Sequence, residues 1–101
     1  ADAQFWVDKL ATELHAIRML LERFDASENT AADDACRIED MFGNARRSQR
    51  CLQLEVRLLY RDPGERRRFM VHQERLSSEL SELMATWNNN KFAERRQVAL
   101  Q

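Results

Sequence analysis

The sequence predicts an all-α fold: an antiparallel up-down-up three-helix bundle, with or without a short fourth helix at the C-terminus. Three observations carry this. Apolar residues recur in steps of three and four along three long segments, turn-formers are scarce (Gly 2 and Pro 1 in 101 residues), and the good helix formers Leu, Arg, Glu and Ala are abundant. A β-protein of this length would show a turn signal roughly every 8 to 12 residues, and long stretches here have none.

In FWVDKLATELHAIRMLLERF (5–24), Val7, Leu10, Leu14, Ile17, Leu21 and Phe24 form an unbroken heptad seam, which predicts a first helix over about 3–25. Trp6, Met19 and Leu20 widen the stripe, as suits a helix with two neighbours. The polar stretch DASENTAADDA (25–35) follows. Within it Thr30 stands three residues before Asp33, close to a capping box, so a second helix is expected from about 31. Its seam is Ile38, Phe42, Ala45, Gln49, Leu52, Val56 and Leu59, reaching about residue 60. Gly43-Asn44 interrupts this segment, at a cost of about 1 kcal/mol for glycine relative to alanine. The seam keeps its phase, so one long helix is expected, with a break at 43 as the alternative.

Asp62-Pro63-Gly64-Glu65 reads as a helix start. Asp at the N-cap accepts orphan backbone N–H groups, Pro at the first helical position lacks a donor it would not use, and Glu65 completes a capping box. Proline also discourages the preceding helix from continuing. So short a connection makes the two flanking helices antiparallel neighbours. The third helix, 63–88, carries Phe69, Gln73, Leu76, Leu80, Leu83 and Trp87 in phase and ends at Asn88-Asn89-Asn90. Residues 1–88 therefore make the bundle. Residues 89–101 are either a short helix packed on its end, with Phe92, Arg96 and Ala99 in phase, or a linker. Gln49 and Gln73 fall at similar heights on either side of the turn; either the two amides meet across the seam and fix its register, or both sit at its solvated edge.

The net charge of −1 hides an asymmetry: residues 1–42 carry 4 basic and 10 acidic side chains, 43–75 carry 9 and 4, and 76–101 carry 3 and 3. Two explanations are open. An acidic first helix can lie beside a basic second one, or the middle segment can offer a basic face to an acidic protein or lipid headgroup. Nucleic acid is disfavoured, because the chain lacks the large positive surplus that phosphate neutralisation uses. Arg47, Arg50, Arg57 and Arg61 point away from the second helix's seam. Arg66, Arg67 and Arg68 occupy the first turns of the third, where the helix dipole disfavours cations. These seven are the candidate partner-binding residues.

No catalytic or cofactor pattern is present. His15 and His72 have no ligand partners at metal-site spacing, Cys36 and Cys51 read as inert thiols of a reducing compartment, and no Gly-rich phosphate loop occurs. No stretch approaches the 18 or more apolar residues of a membrane span. The chain starts at Ala rather than Met, as a piece of a longer protein would.

The segments RIEDMFGNARRSQRCLQLEVRLLYRDP and GERRRFMVHQERLSSELSELMATW resemble the amino-terminal three-helix domain of Vti-type Qb SNARE proteins. The resemblance rests on Ile38, Leu52, Glu55, Leu59, the Pro63 turn, Leu80, Leu83 and Trp87. It implies a non-catalytic, monomeric regulatory domain of a vesicle-transport protein at the cytosolic face of Golgi or endosomal membranes. The SNARE motif and anchor would follow residue 101. Implied partners are adaptor or tethering proteins, or SNARE helices, with weak contact to acidic lipid. The other expectation is a small helical chaperone or adaptor of a bacterial secretion system.

Overall fold

A computed structural model of the chain describes residues 2–26 and 32–100, leaving aside the side chains of 90, 91 and 100. It is all-helical: α1 spans Asp2–Ala26, α2 Ala32–Leu58, α3 Pro63–Asn88 and α4 Asn90–Leu100. The expected capping box at Thr30 lies outside the described residues. Every position of the α1 seam is buried, as are the apolar seam positions of α2 and α3 except Leu59, which is half-buried. α1, α2 and α3 each pack against the other two, around one apolar core centred on Leu10, Leu14, Ile17, Ile38, Leu52, Leu76 and Leu80. Glu13 meets Ser48 and Arg23 meets Asp34, so contacts along α1 and α2 run in opposite sequence order.

α2 passes through Gly43 without a break. A side chain there would meet nothing within 4 Å, so no neighbouring atom requires the glycine. The α2–α3 turn forms as the proline suggested, with one difference. Asp62 Oδ1 accepts from Glu65 N at 3.2 Å and Pro63 takes the first helical position. The other half of the box is missing: Asp62 N donates to the Leu59 carbonyl at 3.0 Å, and the Glu65 carboxylate turns to Arg68 at 3.4 Å. The N-cap donor was already used by the turn, so Glu65 was free to pair elsewhere.

Residues 90–100 are helical, and Phe92 and Ala99 are buried against the rest of the chain, so this segment is packed helix rather than linker. Asn89 makes the corner. Its backbone N–H donates to the Thr86 carbonyl at 3.3 Å, while its Oδ1 accepts from Phe92 N at 3.1 Å and so caps α4. α4 lies at the end of the molecule opposite the α2–α3 turn. There Phe24, Trp87 and Phe92 form an aromatic cluster with centroids 5.2 to 6.0 Å apart. Arg95 reaches Asp25 at the end of α1, and Arg96 lies over the Trp87 ring and 3.9 Å from Glu39 of α2.

Candidate partner-binding site

The Gln49 amide does not go to Gln73. It donates to Ser77 Oγ at 2.8 Å, and Gln73 lines a groove nearer the turn together with Gln53. Gln49 and Ser77 are equidistant from Pro63, as are Gln53 and Gln73. The hairpin is thus centred on the proline, whereas a Gln49–Gln73 pair needs a centre two residues earlier. The turn residues 59–62 set this offset by carrying the chain onward before it reverses.

The arginines of residues 43–75 are short of counter-charge. The only ion pair any of them makes among the described residues is Arg68 with Glu65, and Arg68 also lies over Phe69 with 5.3 Å to the ring centroid. Arg47 donates to Asn44, Arg61 sits over the Tyr60 ring, and Arg75 is beside His72. Arg46, Arg50, Arg57, Arg66 and Arg67 are exposed, with no ion pair or hydrogen bond from their side chains among the described residues. The carboxylates of α1 nearer that half turn to other groups, Asp8 accepting from Gln4 and Glu13 from Ser48, while Asp25, Asp34 and Glu39 lie toward the opposite end with Arg95, Arg23 and the Trp87–Arg96 pair. No carboxylate of α1 reaches the arginines of the hairpin.

The seven candidate arginines do not form one cluster. Arg47 lines a depression between α1 and α2 with Trp6, Lys9, Glu13, Ser48 and Cys51. Arg57 and Arg66 come together across the α2–α3 groove, about 220 Å³ in volume, whose other lining residues are Gln53, Val56, Met70 and Gln73. Arg50 lies two turns above Arg57 on the same face of α2. Arg61, Arg67 and Arg68 stand around the turn. Reading the sequence did not find Gln53 and Met70. Their signal was their spacing: Gln53 falls between Arg50 and Arg57 on one face, and Met70 between Arg66 and Gln73.

The exposed large apolar side chains concentrate in the same half of the molecule. Phe5, Leu54, Leu58, Tyr60, Met70 and Val71 are all more than a third exposed, against Met19 and Val98 elsewhere. Among the described residues no group of three or more His, Cys, Asp or Glu side chains is placed to hold a metal ion. Nor is any described helix long and apolar enough to cross a membrane. Comparison of the chain with protein-family models, with curated proteins and with solved structures gives no match.

Proposed function

We propose that this chain is a non-catalytic protein-binding domain, the amino-terminal regulatory domain of a Vti-type Qb SNARE acting in vesicle transport at the cytosolic face of Golgi or endosomal membranes. Its working unit is the up-down-up bundle of α1, α2 and α3, monomeric, with α4 closing one end. The observation that carries the binding role is the set of exposed arginines on the hairpin half that the chain itself leaves without counter-charge. Guanidinium groups carried on a rigid helical scaffold favour an acidic partner, and the backbone beneath them loses little freedom when it docks. The partners are adaptor or tethering proteins or SNARE helices, with any acidic-lipid contact secondary and nucleic acid disfavoured by the overall charge balance. The membrane setting rests on the resemblance at the Pro63 turn and on the leucine phases around it.

The messenger RNA encoding residues 1–101 tests this reading. It is expected to continue into a heptad array with a central glutamine, followed by an apolar span of about 20 residues. A reading frame that closes shortly after residue 101, beside genes of a secretion apparatus, would replace it with the secretion-chaperone reading.

A further inference from the structure

We infer that the α2–α3 groove at the hairpin end is the docking site, and that its occupant is an acidic amphipathic α-helix of a partner protein. The inference rests on the binding role proposed above and adds the place and the chemistry of the partner. Two rows of side chains face this groove. On α2 they are Gln53 and Arg57, with Arg50 two turns above Arg57 on the same face; on α3 they are Arg66, Met70 and Gln73. The α3 row continues to Ser77, where the Gln49–Ser77 hydrogen bond ties the two helices together. From Arg66 to Gln73 the groove is about 10 Å long, two turns of a docked helix, and the Gln49–Ser77 bond closes it beyond.

The chemistry of the lining selects the occupant. Arg57 and Arg66 bring two positive charges to one groove, and neither has a counter-ion among the described residues. Carboxylates from outside would neutralise both. Every basic residue from 43 to 75 is arginine, with no lysine among nine. That is the side chain whose planar fork grips carboxylates in pairs. Between the arginines the groove carries the amides of Gln53 and Gln73 and one apolar wall, Met70, more than a third exposed and able to adapt its shape, with Val56 buried beneath. A bare anion would leave Met70 uncovered. A flat bilayer cannot follow a concave groove between two helices. An amphipathic helix with leucines toward Met70 and glutamates toward Arg57 and Arg66, and toward Arg50 beyond them, satisfies both parts of the surface.

The probe is an 18-residue helical peptide with a leucine seam flanked by glutamates, compared with the same peptide carrying lysines in their place. Both are titrated into the intact chain and followed by fluorescence anisotropy and by amide chemical shifts. The glutamate peptide is expected to bind at least about tenfold tighter, with shifts confined to 49–57 and 66–77. Changing Arg50, Arg57 and Arg66 together to Glu, at exposed positions that leave folding intact by circular dichroism, is expected to reverse the preference. Equal binding of the two peptides, no binding of either, or shifts centred outside the groove would overturn the inference. So would recruitment of the chain by vesicles containing a fifth phosphatidylserine when the glutamate peptide fails to compete. If the groove fails while the messenger RNA shows the SNARE continuation, the regulatory role stands and its docking face lies elsewhere.

Discussion

Trp87→Ala is expected to cost about 3–5 kcal/mol of folding stability, lowering the melting temperature by on the order of 15 °C or more. Trp87 is 2% exposed and joins all four helices. It sits on α3, packs edge-on against Phe24 of α1 and beside Phe92 of α4, and donates its Nε1–H to Glu39 of α2 at 2.8 Å. Truncation removes the ring, leaves a cavity, frees Glu39 from its donor and takes away the surface over which Arg96 lies. The cavity term dominates, because a single net hydrogen bond contributes only about 1 kcal/mol. Trp87→Phe should therefore cost well under half as much. Thermal unfolding followed by circular dichroism distinguishes the two variants. Similar losses for both would mean that the hydrogen bond, rather than packing, holds this end of the molecule.

The second large effect is expected at Leu52, which is fully buried on the core face of α2. Leu52→Asp removes an apolar side chain worth about 2–5 kcal/mol and puts a carboxyl group into the apolar core. Whether that group stays charged or takes up a proton, it adds a penalty of several kcal/mol. Together these approach the whole stability of a domain this size, about 5–15 kcal/mol, so the variant should lose its cooperative unfolding transition. Leu54→Asp, two residues away on the same helix, changes a side chain that is 56% exposed. It should alter stability by no more than about 0.5 kcal/mol. The contrast tests the rotational phase of α2 directly, and comparable losses at both positions would show that the phase is wrong.

The sequence carried most of the fold because helix seams are local. Periodicity alone picks out the buried residues of α1 from Val7 to Phe24, and the Asp62-Pro63 pair alone marks where the chain turns. Ala3 and Ala35 joined the core unannounced, since alanine gives little hydropathy contrast, and Ala35 lies in an otherwise polar stretch. Ser48 is buried beside the seam while the in-phase Gln49 is only half-buried. α2 is rolled slightly toward α1, where Ser48 finds Glu13. Pairings between helices were not legible. Gln49 with Ser77, Trp87 with Glu39 and Arg95 with Asp25 each depend on the height at which one helix stands beside another, and the residues consumed in the turn set that height.

The same limit governed the candidate site. Composition revealed a basic middle segment beside an acidic start, but not whether the two would neutralise each other. Neutralisation depends on which end of the bundle each carboxylate occupies and what it meets there: Asp25 and Glu39 lie at the α4 end with Arg95 and the Trp87–Arg96 pair, and Glu13 turns to Ser48. What remained was a set of arginines without counter-charge, two of them sharing one groove.

That these arginines face a partner rather than hold the helices together is the claim on which the function depends. Urea unfolding of the protein with Arg50, Arg57 and Arg66 all changed to Glu measures it directly. With no internal ion pair to lose, and with a negative charge now favoured in the first turns of α3, the free energy of unfolding should stay within about 0.5 kcal/mol of the parent or rise. A loss of about 2 kcal/mol or more would show that the guanidinium groups serve the fold and are not held out for binding.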